Sequence, residues 1–551
     1  MSMLQPVTER HPAFAMAERR WSEMKADRAQ DERMWGDIAR LMRPQRGGFD
    51  LSDPAMRPDE KPLSSAPIHA QSNFAAGLYG TLTNPANRWF GMETNDPDLN
   101  AWHPARLWLD TVTTRVLASF SPAVSPFYSA ASQVFSDLAA FGNAAQYDEA
   151  RPAERRILDV TISLAEACFD IDGFGMVTEV VRRFLLTPAR AMSMFGPAAL
   201  PARVQDLAVK GDTGKIAFYH HVIRNDAWRQ GMLGLRGRRW LSRYVCEVDA
   251  ALVREAGYDE MPFHAPRWEV DTGRIYGTGP GFVALASARA LTRMDDATLR
   301  MAQRQADPTI LAPDRGDWPL NGTVRPGTIV FGGTNMRGDP MLRPLDISGG
   351  ISLTLQEKQQ KLEEIRDAFH YTLMNLAGRT GMTATEVMAI TEERQRLWAP
   401  HQGRVQEEFL APKIERRFAI LWRAGQIPPP PKELAGRPLI VRYQSAAAAA
   451  QRSVEGNAAL RILQDIAPLA QLKPRLLDRL AEDGLLETLV EARGAPARMI
   501  RSREDADAIA EACAQQEQAM QAVQMAQAGA GALKDAAGAA AAMQGGGGVP
   551  A

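Results

Sequence analysis

Cysteine is almost absent: Cys168, Cys246 and Cys513 are the only three among 551 residues. Their odd number and wide separation build neither a disulfide framework nor a zinc spacing, which points to folding in a reducing compartment. An excess of one charge is also lacking. The 64 Lys and Arg residues against 65 Asp and Glu leave a formal net charge of -1. That balance excludes a protein that grips nucleic acid by bulk basicity. It leaves room for one past which DNA slides, where tight phosphate binding is a handicap. No uninterrupted apolar run approaches the ~18 residues of a membrane span. The opening stretch MSMLQPVTERHPAFAMAERRW holds no signal-peptide core, so the expectation is a chain made and folded in a cytoplasm.

Catalytic signatures are missing as well. GxxxxGK[ST], HExxH, CxxC and GxSxG do not occur. GTGPG (277–281) lacks dinucleotide-loop spacing, and Pro280 removes an amide that a phosphate needs; it reads as a tight turn into a helix. His220-His221 is the single adjacent histidine pair and falls in an expected strand, where neighbouring side chains point to opposite faces. One metal cannot easily use both. The expectation is a chain with no catalytic residues, no metal and no cofactor.

What is present is patterned for an α+β, predominantly helical chain. Residues 8–43 read as an amphipathic helix with Trp21, Met24, Trp35, Ile38 and Met42 on a face meant for burial, interrupted by Arg28 and Asp31. Ser64, Ser65 and Pro67 suit a helix start, running to about Leu82. TNPANRWFGM (83–92) reads as a turn into a strand, and two helical stretches fill roughly 100–142. Residues 143–250 mix strands and short helices around Asp172-Gly173 and Gly211-Asp212. MPFHAPRWEV (261–270), with two prolines, reads as an extended strap.

The middle of the chain is the most informative part. Residues 281–304 predict a helix closed by Asp307-Pro308, with Val283, Ala284, Leu291, Met294 and Met301 on one side. Arg289, Arg293, Arg300 and Arg304 share the opposite side. Residues 305–350 hold eight glycines and six prolines with short β-type runs, a compact module rather than a loop. A second helix over about 353–377 aligns Leu355, Leu362, Ile365, Phe369, Leu373 and Leu376. AGRTGM (377–382) breaks it at Gly378 and Gly381, and Thr383 with Glu386 forms a capping box for a long helix to about 424. Kinks are expected at Pro400 and Pro412. After PPPP (428–431), short helices over 444–515 are punctuated by Gly484 and Gly494, and an Ala/Gln/Met/Gly-rich tail from about 520 reads as frayed.

Several segments resemble the head-to-tail connecting, or portal, proteins of short-tailed bacteriophages (podoviruses). SSAPIHAQSNFAAGLYGTLTNPANRWFGM (64–92), FSDLAAFGNAAQYDE (135–149) and DIDGFGMVTEVVRRFLLTPARAMSMFG (170–196) are similar to that family's successive blocks. MPFHAPRWEVDTGRIYGTGPG (261–281) is the most specific, with Arg267-Trp268 and Tyr276-Gly277 where the family places them. Residues 461–511, with LAQLKPRLLDRL and ARMIRSREDADAIAE, resemble its C-terminal helical region. The likeness spans roughly 10–515; the Ala/Gly-rich tail departs from it.

The resemblance implies a portal-type fold: a mixed α/β wing (1–280), stem helices (281–304 and 351–377), a β-rich clip (305–350) and a tunnel loop (378–383). A long kinked wing helix (384–430), a helical crown (440–515) and a flexible tail (516–551) complete it. It implies a homo-oligomeric ring, usually a dodecamer, at one vertex of the virion capsid and assembled in the host cytoplasm. Its implied partners are the terminase large subunit, the major capsid and scaffold proteins, a tail adaptor and double-stranded DNA passing through the channel, with no membrane. Gly378, Arg379, Thr380, Gly381 and Met382 become the DNA-facing tunnel loop. The stem arginines Arg289, Arg293, Arg300 and Arg304 pair with a neighbour's Glu363, Glu364 or Asp367, line the channel, or form an ordinary solvated face. Readings set against it are another virion ring or internal core protein, an enzyme with a cryptic site, and a helical scaffold or chaperone.

Overall fold

The computed structural model describes residues 10–49, 62–154, 156–306, 310–311, 336–337, 339–340, 343–344, 351–371, 393, 396, 398–443, 456, 458–466, 482–492, 499, 501 and 505–521. The architecture is α+β with helix predominating. Two compact units divide the chain: Met1–Phe90 with Thr114–Ile427 and Tyr443–Ala447, and Gly91–Thr113 with Pro428–Arg442 and Ala448–Ala551.

Helices α1 (Pro12–Asp27), α2 (Ala29–Met42) and α3 (Ala66–Leu82) lead into strand β1 (Phe90–Thr94). Helices α4 (Pro97–Ala101), α5 (His103–Ser119) and α6 (Phe127–Phe141) follow, then the hairpin β2 (Ala145–Arg151) and β3 (Arg156–Ile162). Next come β4 (Ala167–Ile171), β5 (Val177–Leu186), α7 (Pro188–Phe195), α8 (Ala202–Val209), β6 (Ile216–Arg224), β7 (Trp240–Cys246) and β8 (Ala251–Tyr258). These strands form one antiparallel sheet in the order β4-β5-β6-β7-β8.

Period-two alternation explains how that sheet is covered. Cys168, Val181, Tyr219 and Val245 face Ala13, Phe14, Ala17 and Met24 of α1. The alternate residues Phe184, Phe218, Tyr244 and Cys246 face Ala191 of α7 and Val204 of α8. His220 and His221 are likewise split: both are buried in β6, with His220 Nε2 2.9 Å from Ser242 Oγ and His221 Nε2 2.7 Å from Glu179 Oε1.

The expected amphipathic helix at 8–43 is two helices, broken at Arg28. Far from limiting burial, Arg28 is itself fully buried. It bonds Glu32 Oε1 at 2.8 Å and donates to the carbonyl oxygens of Leu164 at 2.7 Å and of Ala167. Those carbonyls fall on the stretch entering β4, so the break in the helix is where the sheet is stapled to it.

After β9 (Phe263–His264), which extends the β3-β2 ladder, comes α9 (Pro280–Ala306). Of the expected 305–350 module, β10 (Ile310–Leu311) pairs antiparallel with β11 (Arg343–Pro344); most of its remaining residues lie outside the described ones. Helix α10 (Ile351–Ala368) ends nine residues earlier than the sequence pattern suggests. His370, at φ 49°, turns the backbone left-handed just beyond it; Leu373 and Leu376 of the expected stripe lie outside the described residues. Residues 398–405 run helically through Pro400. The disturbance comes instead at a π-turn, Gln406–Leu410, immediately before α11 (Ala411–Arg423). Pro412 has no N–H for the carbonyl four residues back, and the widened turn accommodates that loss.

In the second unit β1 pairs with β12 (Leu439–Tyr443), and Trp108 Nε1 donates to the Pro428 carbonyl at 2.9 Å. Gly484, expected to punctuate, lies inside α12 (Glu482–Ala492). Residues 505–521 are helical, five residues beyond the expected start of the tail at 516. Among the described residues no helix is long and apolar enough to cross a membrane.

Candidate functional site

The strap after β8 organises the first unit. Arg267 is buried, and its guanidinium grips Glu408 of the π-turn through Nε at 3.1 Å and Nη2 at 2.6 Å. Its backbone N–H donates to Glu408 as well, at 2.9 Å. The remaining donors reach the Gly175 carbonyl at 2.7 Å and the Ile275 carbonyl at 3.2 Å. One side chain thereby joins the strap, the long helix and the β4–β5 turn. Beside it the Trp268 ring stacks on His401 with centroids 4.7 Å apart.

The strap then returns to the end of α6. Trp268 N–H donates to the Gly142 carbonyl at 2.8 Å, and Asn143 exchanges two hydrogen bonds of 2.7 Å with the backbone of Gly277. Tyr276 Oη accepts from the Phe169 N–H at 3.2 Å. The residues carrying the most specific part of the resemblance, Arg267-Trp268 and Tyr276-Gly277, are thus tie-points of the fold. The glycines answer to crowding: a Cβ on Gly279 would stand 2.7 Å from the Gly142 Cα, and one on Gly281 2.1 Å from the Ala140 carbonyl oxygen. GTGPG is the close crossing that launches α9.

Under the same framework lies a buried ionic cluster. Asp148 of β2 and Asp159 of β3 sit directly opposite one another in the hairpin, an arrangement that repels unless neutralised. Helix α11 supplies the cations from one face at i, i+3 and i+4: Lys413, Arg416 and Arg417, all buried. Lys413 bridges both carboxylates, 3.0 Å from Asp148 Oδ2. Arg416 pairs with Asp148 and donates to the Glu260 carbonyl at 3.0 Å. Arg417 pairs with Asp159 and donates to Ser125 Oγ at 3.0 Å. Burial alone pushes the Asp148 carboxyl up, but Arg416 and Lys413 outweigh it and hold it well below the usual range. Asp159 is lowered in the same way, burial being overcome by Lys413 and Arg417. Burial, assisted by Lys413, lowers His264 to about 4. Three cations thus face two aspartates, and Glu260, 3.5 Å from Arg416, adds a third carboxylate.

From this base α9 and α10 extend as an antiparallel pair. Ser287 Oγ bonds Glu364 Oε2 at 2.5 Å, and one stretch further along α9 Asp295 pairs with Lys358, further back on α10. Their seam is apolar: Ala284, Ala288 and Leu291 are buried on α9, and Ile365 on α10, followed by buried Phe369. Val283, expected on the buried side, is exposed; Leu285 is buried instead, and Leu355 is exposed as well.

The stem charges expected from sequence fall into two groups. Arg289 pairs with Asp37 of α2, Arg300 with Asp296 one turn back at 2.9 Å, and Glu364 with Lys361 at 2.7 Å. The bonds from Lys361 and Ser287 lower the Glu364 carboxyl. Arg293, Arg304, Glu363 and Asp367 are exposed, and none has an ion pair among the described residues. Gly378, Arg379, Thr380, Gly381 and Met382 lie outside the described residues. Sequence reasoning missed the buried cluster. The available signal was three cations interleaved with Ile414 and Leu421 on what is otherwise the apolar face of α11.

Among the described residues no group of His, Cys, Asp and Glu could hold a metal ion. Buried ion pairs, a pinned strap and a paired α9 and α10 make up a structural framework. Residues 15–500 match the family described as bacteriophage head to tail connecting protein, and the chain belongs to that family. It is 26% identical over 519 residues to the portal protein of Salmonella phage epsilon15, covering 92% of each chain. It is 27% identical over 510 residues to the probable portal protein of Bordetella phage BPP-1, covering 91% of each. Among solved structures it is similar to a chain from the neck of a native gene transfer agent particle, at 11% identity and a TM-score of 0.34, covering 73% of this chain and 86% of that one.

Proposed function

We propose that the chain is the portal subunit of its virion: copies arranged as a closed ring, usually of twelve, around a channel for double-stranded DNA. In this reading α9 and α10 are the stem, the residues between them the clip that meets the terminase and later the tail adaptor, and 378–382 the loop beside DNA. The long helix ending in α11 spans the wing, and the chain from 440 to 515 forms the crown. The ring stands among the capsid and scaffold proteins at one vertex and performs no catalysis.

One observation carries the reading. The α9–α10 pair closes its apolar seam within the subunit and leaves Arg293 and Arg304 on one helix, and Glu363 and Asp367 on the other, exposed. A head-to-tail ring needs two different flanks that match, and opposite charges on two rods of one subunit supply them. The near full-length match to two proteins named as portals supports the same reading.

The test acts on the loop rather than the rods. Arg379→Glu places a repelling charge where a phosphate backbone passes. Ring assembly is expected to stay at the wild-type level, while DNA packaged or retained per particle falls at least tenfold. Loss of the ring itself would make 378–382 a structural turn, and unchanged packaging would remove it from the channel.

A further inference from the structure

The turn between β4 and β5 ends in a side chain the fold does nothing to hide. Phe174 is 95% exposed, and Met176 beside it is exposed too. Yet the turn beneath them is fixed. Asp172 Oδ1 accepts from the N–H groups of Phe174 at 2.9 Å and Met176 at 3.0 Å, and the Gly175 carbonyl accepts from buried Arg267 at 2.7 Å. An aromatic ring on a rigid pedestal loses little freedom on docking, the property of a binding anchor.

At the same end of the five-stranded sheet, toward the opposite edge, is a cavity of about 460 Å³. Trp228, Trp240, Met261 and Pro412 give it apolar walls, and Arg224 and Arg239 frame it, Arg239 lying over the Trp228 ring at 5.1 Å. Asp259, Glu260 and Glu415 also line it, Asp259 and Glu260 being already paired with Arg238, Arg416 and Arg423. Antiparallel order puts the turn after β4 and the loop after β6 at one end, with β4 and β8 as the two edges. Charge divides in the same sense. From Ile157 to Val181 the sequence has no Lys or Arg, and Asp172 stands at the tip. The loop from Arg224 to Arg239 holds five arginines against Asp226 alone. Arg238 is engaged with Asp259; Arg224, Arg229, Arg236 and Arg239 have no carboxylate partner among the described residues.

We infer that Phe174 of one copy seats in the Trp228–Trp240 cavity of the next copy, with Asp172 facing that copy's arginine loop. The contact is heterologous: knob and socket are different surfaces of one chain at one level, as a closed ring demands. It rests on the ring reading above and adds a wing-level contact to the stem.

Cross-linking of the full chain tests it. Cys513 is exposed, while Cys168 and Cys246 are buried, so a Cys513→Ser background leaves no accessible thiol of the parent among these. In that background the Phe174→Cys, Trp228→Cys double variant, mildly oxidised, is expected to give a ladder of linked subunits on a denaturing gel, and neither single variant does. Phe174→Asp is expected to raise at least tenfold the concentration needed for ring formation, with an unchanged circular dichroism spectrum. If wild-type rings form but the double variant gives no ladder and Phe174→Asp assembles normally, the knob-and-socket contact is wrong and the ring stands. If the wild-type chain forms no ring at all, the ring reading fails and takes this contact with it.

Discussion

Lys413→Met is expected to destabilise the first unit by about 3–5 kcal/mol, the range for removing one partner of a buried ion pair. Among the described residues Lys413 is the one cation touching both aspartates. Without it, Asp148 and Asp159 face each other across the hairpin with one arginine each. The loss shows in urea or thermal denaturation as an earlier transition. Adding Asp159→Asn removes one of the repelling charges, so the double variant is expected to be more stable than the two separate losses summed.

The same cluster dictates a pH profile. Asp148 and Asp159 are held below their ordinary range. Their contribution is complete above the unfolded carboxylate pKa and lost as pH falls through the folded values. His264 is buried in neutral form with its pKa near 4 instead of 6.5. The unfolded chain therefore takes up a proton first, and stability declines from about pH 6.5 toward 4, by roughly 3 kcal/mol from this histidine. The thermal midpoint is expected to be flat above pH 7, to slope between 6.5 and 4, and to fall steeply below 4. His220, which burial likewise holds well below its ordinary range, adds to the slope in the same direction, and a midpoint that stays level down to pH 4 would mean that neither histidine is neutral in the fold.

Gly142→Ala has the second large expected effect. Gly142 closes α6 in the left-handed region at φ 71°, and a Cβ there would lie 2.2 Å from the Thr278 carbonyl carbon and 2.5 Å from the Gly279 nitrogen. Backbone strain of about 1–2 kcal/mol adds to about 1–3 kcal/mol of overpacking against atoms that cannot yield. Because those atoms lead into α9, the variant is expected to lose ring assembly along with about 2–5 kcal/mol of stability. Gly273→Ala is the control: its φ is 83° but nothing lies within 4 Å, so only the backbone strain applies and rings persist.

Some of this was written in the sequence in plain periodicity. The Ser64–Leu82 helix, the two-proline strap and the glycine crossing before α9 each follow from local backbone chemistry, and each is found. What stayed hidden was decided by distant partners. Arg28 looks like a flaw in an amphipathic face until the Leu164 and Ala167 carbonyls arrive from more than 130 positions away. Val283 and Leu285 are equally apolar, and the helices that pack around α9 decide which is covered. The Asp148–Asp159 register becomes legible once α11 is seen to lay its cations across it. Family resemblance picked out Arg267-Trp268 and Tyr276-Gly277; their hydrogen bonds supply the physical reason.

Copies of this chain are proposed to close into a ring around a hollow axis. Mass photometry of the purified full-length protein, with negative-stain images of the same sample, tests it most directly. Twelve copies of the 60.5 kDa chain give a species of about 730 kDa, seen end-on as an annulus with a hole wide enough for a DNA duplex. A protein that remains at the mass of one chain across the accessible concentration range, with no annulus in the images, would contradict the account.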